Sequence, residues 1–390
     1  MRKSDVVKLI KFLNNNIRKK NKKKIELHEP SFFGNENFFL NRCIKEKQVS
    51  TYGKYTGYFE KEIKRITKAK YSVALTSGTE ALHLSLRAIG ITSDHEILVP
   101  AMTFIASVNA ISYCGAEPHF IDTDINTLEI DYKKLDQYLE SITIKKKGKT
   151  FNKFSKKHIK ALMPVHIFGH SSNILKIKKI AKKYNLVVIE DAAEAFGSFV
   201  KKQHLGTFGE IGCLSFNGNK IVTTGGGGAI ITNNKILAQK VFQLSTVYKT
   251  KNSFGTTHNG IGYNSRMPSI NASLGLAQIK NFQKIKNEKK KLYFDYDKII
   301  SNFEGIKLFK ENKDTDSNYW LHVLILDEKN RKFKKAIIQE GKRKNFYLGS
   351  IWKLVSNMKP YINKQKMDLS GSKNIHDRVI CLPSGAGVLF

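Results

Sequence analysis

The sequence of 390 residues predicts an α/β fold, with a large domain on a mainly parallel sheet covered by helices and a smaller C-terminal α+β domain. Three observations carry this expectation. Short apolar runs alternate with segments of helical period between Tyr71 and Glu190. The chain is longer than the size at which one hydrophobic core stops growing. Past Leu274 the pattern changes to a long charged helix through Lys291, followed by scattered short elements. The expected division is residues 1–25 for a basic N-terminal helix and tail, 26–275 for the large domain and 276–390 for the small one.

The stretch Val6-Val7-Lys8-Leu9-Ile10-Lys11-Phe12-Leu13 has the spacing of an amphipathic helix. It precedes the clusters Arg18-Lys19-Lys20 and Lys22-Lys23-Lys24, which read as a solvated tail; a membrane-surface or partner-docking helix is the weaker alternative. The compact protein is expected to begin near Glu26. Strands are then expected over Tyr71–Leu75, Glu96–Val99, His119–Ile121, Ala161–Val165 and Leu186–Glu190, with helices over Thr79–Ile89, Phe104–Tyr113 and Ile174–Tyr184. A lysine-rich insertion separates the third strand from the fourth, over Lys145–His158. Ligands of such a sheet belong at the carboxyl ends of its strands.

The formal charge of +34 and pI near 9.8 resemble the electrostatic footprint of a nucleic-acid binder. Yet lysine far outnumbers arginine and is spread along the chain, and no helix-turn-helix or aromatic-interleaved basic pattern accompanies it. A general lysine bias is the better reading, and it leaves a positive field that draws anionic substrates. The four cysteines, Cys43, Cys114, Cys213 and Cys381, are too far apart to form a metal or redox pair and read as reduced, buried thiols. No metal site is expected. Neither an export signal nor a bilayer-length apolar run is visible, so the expectation is a cytoplasmic protein without membrane insertion.

Chemistry is concentrated around Lys220. This lysine closes the run Leu214-Ser215-Phe216-Asn217-Gly218-Asn219-Lys220, ahead of Gly225-Gly226-Gly227-Gly228 and about thirty residues after the strand-ending Glu190-Asp191. A lysine amine condenses with an aldehyde, a carboxylate keeps a pyridine nitrogen protonated and exposed amides hold a phosphate, so this order fits a pyridoxal phosphate (PLP) enzyme. Ser77-Gly78-Thr79 opens a helix whose first amides can bind phosphate, although Ser-Gly-Thr is also an ordinary helix cap. Ser215, five residues before Lys220, has a hydroxyl for the same group. Phe104 follows a strand and is placed to stack on a flat ring, its plain alternative being a core aromatic. Asp191 has as its plain alternative the cap of a helix over Ala192–Phe196.

Together these residues resemble the PLP-dependent nucleotide-sugar aminotransferases of the DegT/DnrJ/EryC1/StrS family, from about Phe33 to Pro383. The further matching stretches are Phe33-Gly34-Asn35-Glu36, Val165-His166-Ile167-Phe168-Gly169-His170, Glu190 to Gly197, Ile261-Gly262-Tyr263-Asn264-Ser265-Arg266 and Asn318-Tyr319-Trp320. The resemblance implies a fold-type I aminotransferase with Lys220 as the Schiff-base lysine and Asp191 as the partner of the ring nitrogen. It places Ser77, Gly78, Thr79 and Ser215 at the phosphate and Phe104 on the ring. Glu194 stands where many relatives have Gln or His against the cofactor's phenolic oxygen. Asn264 would reach the phosphate from the neighbouring subunit of a homodimer, with Arg266 nearby, and His166, Arg266 and Trp352 would contact substrate.

The closest branches by resemblance aminate 4-keto sugars on the routes to bacillosamine, legionaminic acid and perosamine. The implied partners are L-glutamate as amino donor and a nucleotide-linked 4-keto-6-deoxyhexose. A UDP-linked 2-acetamido-2,6-dideoxy-4-hexulose is the first expectation and a GDP-linked sugar the second; no nucleic acid is implied. One departure stands out. The family often carries Arg-Pro two or three residues before a tryptophan where this chain reads Leu348-Gly349-Ser350-Ile351-Trp352, so no nucleotide contact is carried over from that arginine. A sugar dehydratase of the same family would need histidine in place of Lys220. A non-catalytic regulator or nucleic-acid-associated protein on the same fold is the remote alternative.

Overall fold

The structure, a computed structural model, describes residues 1–17, 23–171, 173–252 and 255–388. The sequence clusters Arg18-Lys19-Lys20 and Lys22 lie outside the described residues. The large sheet runs in the order Tyr71–Leu75, Gly228–Thr232, Ile211–Ser215, Val187–Asp191, His158–Leu162, His95–Pro100 and Glu117–Ile121. The first two junctions are antiparallel and the other four parallel. Every strand expected between Tyr71 and Glu190 is present within a few residues. Its near-continuous Val, Ile and Leu content fits a sheet covered on both faces.

Register decides where chemistry collects. Gly228, the first residue of its antiparallel strand, lies opposite both Leu75 and Ser215, the last residues of theirs. The glycine run, the Ser77 turn and Ser215 therefore meet at one sheet end, beside Asp191 at the end of the adjoining strand. This is the carboxyl edge where a ligand was expected. The lysine-rich insertion is itself ordered: Thr143–Lys146 and Lys149–Asn152 form a hairpin whose second strand meets His158 at the start of the next. Strand-like alternation is hidden there because one hairpin strand is almost wholly exposed.

The C-terminal part carries a four-stranded antiparallel sheet in the order Ile306–Leu308, His322–Leu326, Val379–Leu382 and Gly349–Ser350. The expected long helix is two helices, Ser269–Lys280 and Phe282–Ile300, separated at Asn281, whose amide closes on the Gln278 carbonyl. A boundary at 275 falls within the first of them.

The N-terminal segment corrects the expectation that the compact protein begins near Glu26. Helix Lys3–Ile17 forms as the pattern predicts, but Val6, Leu9, Ile10, Leu13 and Ile17 are buried among Tyr293, Tyr296, Leu324, Ile337, Phe346 and Ile380. Its apolar stripe is part of the C-terminal core rather than an element beside it. Amphipathic spacing shows that a face must be buried; the partner, drawn from residues hundreds of positions away, is not visible in that spacing. All four cysteines are buried and free, as expected.

Candidate active site

At the carboxyl edge of the large sheet lies a cavity of about 340 Å³. Its walls include Ser77, Gly78, Thr79, Phe104, Asp191, Glu194, Ser215, Lys220 and Trp352, so residues separated by most of the chain converge on one space. Ser77 caps helix Gly78–Ala88, its Oγ accepting the Glu80 amide at 3.1 Å. The plain reading of this turn as a cap is thus correct, and it does not compete with anion binding: the amides of Gly78 and Thr79 have no carbonyl of their own helix to reach. The turn is packed tightly. A Cβ at Gly78 would stand 2.8 Å from the Ser215 Cβ, and one at Gly228 would stand 2.3 Å from the Ser77 carbonyl oxygen. Glycine at both positions lets the helix start press against the two strand ends.

Lys220 reaches into the cavity from the loop after Ile211–Ser215. Its Nζ lies 3.2 Å from Glu194 Oε1 and 4.1 Å from the centre of the Trp320 ring. The Trp320 indole N–H donates to the Asn219 carbonyl at 2.8 Å, which pins the loop that carries the lysine. Glu194 also accepts the Phe168 amide at 2.8 Å. Burial pushes the Glu194 carboxyl above its ordinary range, opposed by the charge of Lys220 and by the Phe168 amide.

Asp191 is buried and accepts only neutral donors, the Ser107 hydroxyl at 2.6 Å and the Ala193 amide at 3.1 Å. Burial raises this carboxyl too, and those hydrogen bonds pull it back only in part. The alternative of a helix cap fails because no helix follows it. Phe104 is 53% exposed at the start of helix Ile105–Tyr113, which sets aside the core reading. Trp352 stacks on Phe168 with centroids 5.7 Å apart and lies 6.4 Å from Phe104, giving the cavity an aromatic side.

Three expected site residues are not in this cavity. His166 is 1% exposed and its Nε2 meets Glu190 at 2.8 Å, while Glu190 also accepts the amides of Gly206 and Gly209. Its backbone amide binds the Asp191 carbonyl at 3.0 Å. This histidine braces the strand end from outside the cavity wall. Arg266 is committed within its own chain, donating to Glu60 at 2.6 Å and to the Ala74 carbonyl at 2.9 Å. Asn264 is exposed outside the cavity, bridged to Thr246.

The family model described as the DegT/DnrJ/EryC1/StrS aminotransferase family matches residues 34–388. The chain belongs to this family. It is a sugar-nucleotide transaminase whose cofactor is pyridoxal 5′-phosphate. It is 37% identical to a GDP-perosamine synthase from Escherichia coli O157:H7, with 78% of each chain covered. With a GDP-perosamine synthase from Caulobacter vibrioides it shares 30% identity over 94% of each chain. Among solved structures it is similar in fold to PseC of Helicobacter pylori, described as an aminotransferase involved in the biosynthesis of pseudoaminic acid, with a TM-score of 0.83, 23% identity and coverage of 94% and 95% of the two chains.

The residues present fit the family's cofactor. A buried carboxylate without a cation among its hydrogen-bond donors suits a protonated ring nitrogen, and an unblocked helix start beside the Ser215 hydroxyl suits a phosphate. Two functional neighbours escaped the sequence. Ser107, which holds Asp191, lies one turn into a helix eighty-four positions earlier and carries no local mark. Trp320 was visible within a matching stretch, but nothing in that stretch says that its ring covers Lys220.

Proposed function

We propose that this enzyme transfers an amino group from L-glutamate to C4 of a nucleotide-linked 4-keto-6-deoxyhexose, and that the nucleotide is GDP. The observation that carries the transaminase part is the lysine itself: Lys220, where a dehydratase would need histidine, stands against Glu194 inside the cavity that Asp191 and Ser215 complete. The nucleotide rests on relatives. A UDP sugar was the first expectation from the sequence, but the similarity to two GDP-perosamine synthases supports the guanine nucleotide more strongly.

When bound, the cofactor supplies an aldehyde that condenses with amines and a ring that takes up the electrons of a broken C–H bond. Ser77, Gly78, Thr79 and Ser215 would hold its phosphate, and Phe104 would lie on its ring. Asp191 would keep the ring nitrogen protonated, which suits a carboxyl whose present donors are neutral. The Lys220 amine would bond the cofactor at rest and, once freed, carry a proton between the donor's α carbon and the cofactor. Glu194 keeps that amine in place and is itself poised to hold a proton, since burial raises it. Trp352 would border the sugar. We also propose a homodimer: the exposed position of Asn264, outside its own cavity, supports a role for it in the neighbour's site.

The deciding experiment is a half-reaction. Enzyme first aminated with glutamate is mixed with GDP- or UDP-linked 4-keto sugar, and the absorbance of the aminated cofactor is followed. Faster decay with the GDP sugar, as kcat/KM, is expected. A preference for the UDP sugar would reverse the nucleotide while leaving transamination intact, and decay with neither would remove the sugar substrate.

A further inference from the structure

Lys289, on helix Phe282–Ile300, is a fully buried lysine that the proposed chemistry does not use. No carboxylate is paired with it among the described residues. Instead its Nζ contacts three neutral partners: His28 Nε2 at 3.1 Å, the Trp320 carbonyl at 3.1 Å and the Ser384 carbonyl. These belong to the segment between the N-terminal helix and helix Asn35–Lys45, to the residue that covers Lys220, and to the turn after the last strand of the small sheet. The titratable groups facing Lys289 are His28 and His322, both held well below the ordinary histidine range by burial and then by the charge of Lys289. Burial lowers Lys289 itself to about 7.

A buried amine surrounded by neutral acceptors is costly, and a leucine or methionine would fill the space more cheaply. What the amine adds is direction. Trp320 is fixed at both backbone ends, its amide by Asn318 Oδ1 at 2.9 Å and its carbonyl by Lys289, while its indole pins Asn219 and its ring faces the Lys220 amine. A ring face stabilises a cation placed over it.

We propose that Lys289 is a positioning residue for Lys220: by tying the Trp320 carbonyl to His28 and Ser384, it holds the Trp320 ring over the Lys220 nitrogen and favours the protonated state of that nitrogen. The proposal rests on the transaminase reading of the cavity. The groups facing Lys220 are Glu194 and Asp191 from the sheet side and His28 from the segment after the N-terminal helix; of these only His28 contacts Lys289, and Trp320→Leu, which leaves that contact in place, separates the effect of the ring from that of His28.

The test uses the cofactor-loaded enzyme and three variants. Lys289→Met keeps the volume and loses the donors, Lys289→Gln keeps donors, and Trp320→Leu removes the ring but leaves the carbonyl. Because the chain has two tryptophans, a Trp352→Phe background isolates the emission of Trp320. Lys289→Met should shift that emission, move the pH midpoint of the cofactor absorbance to lower pH and slow the glutamate half-reaction about tenfold, with KM changed less than about threefold. Trp320→Leu should move the midpoint in the same direction, the double variant no further than either alone, and Lys289→Gln should stay near wild type. A midpoint unmoved in Trp320→Leu overturns the proposal even if Lys289→Met does not fold. So does a Lys289→Gln enzyme as impaired as Lys289→Met. A wild-type cofactor band that ignores glutamate would instead overturn the transaminase reading, before any variant is compared.

Discussion

Glu194 faces opposing demands. Burial favours its neutral form, while Lys220 at 3.2 Å and the Phe168 amide favour the carboxylate. A neutral amide of the same shape meets both neighbours without the charge, so Glu194→Gln is expected to keep activity within about tenfold of wild type, measured as kcat with glutamate. A larger fall with unchanged cofactor affinity would show that the charge itself is needed. Lys220→Ala removes the bonding amine and the proton carrier together, and turnover should fall by about a hundredfold to ten-thousandfold. Borohydride reduction and peptide mapping check the assignment, since the cofactor label must sit on Lys220. Lys289 gives a pH signature of stability. Its amine, lowered to about 7 in the fold, is neutral there while the unfolded chain still binds the proton, so stability should rise with pH from about 7 towards the ordinary lysine value. Denaturant titrations at pH 7 and 9.5 should show a smaller rise in Lys289→Met. At this scale the meeting of Lys220 and Asp191 in one cavity was legible because each follows a strand, while Glu194 was expected there through the family resemblance. His166 was expected at substrate through the family resemblance alone, and it lies outside the cavity wall against Glu190; a histidine after a strand reads the same whether it faces a ligand or braces a buried acid.

Among the elements, the turn at Ser77 illustrates how glycine placement serves chemistry. A methyl at Gly78 would meet the Ser215 Cβ at 2.8 Å and push the helix start from the strand ends. Overpacking of this kind costs about 1–3 kcal/mol, so Gly78→Ala should fold yet weaken cofactor affinity by about tenfold or more, read by equilibrium titration with PLP. The N-terminal helix makes the opposite point. Leu9 is fully buried, and Leu9→Ala should cost about 2–5 kcal/mol in denaturant unfolding, a loss no solvated tail would show. Five of the seven strands along the path of the large sheet were legible because burial on both faces leaves unbroken apolar runs, whereas Ile211–Ser215 and Gly228–Thr232 were not among the expected strands. The exposed hairpin strand Thr143–Lys146 was not, because its pairing is set by Lys149–Asn152 and leaves no apolar period of its own.

For the whole molecule, the proposed homodimer turns on whether one chain completes a site. Within its own chain Asn264 is exposed and outside the cavity, and the cavity wall contains a single cationic side chain, Lys220, among the described residues. The helix-start amides and Ser215 are the neutral donors this wall offers to a phosphate, and in the proposed homodimer a neighbouring chain would add the Asn264 amide to them. The formal charge of +34 draws such anions towards the protein without orienting them, so it cannot replace a placed donor. If the reading is right, a chain with Lys220→Ala and a chain with Asn264→Ala are each impaired as homodimers, for different reasons. In a heterodimer, one cavity keeps its own Lys220 and receives the Asn264 of the Lys220→Ala chain, while the other lacks both. With independent sites, purified heterodimer should recover about half the activity of a wild-type dimer. Differently tagged, co-expressed chains allow that species to be isolated and assayed with glutamate and the keto sugar. Activity no higher than the average of the two homodimers would place Asn264 in its own subunit's service, and the shared-site proposal would fall with it.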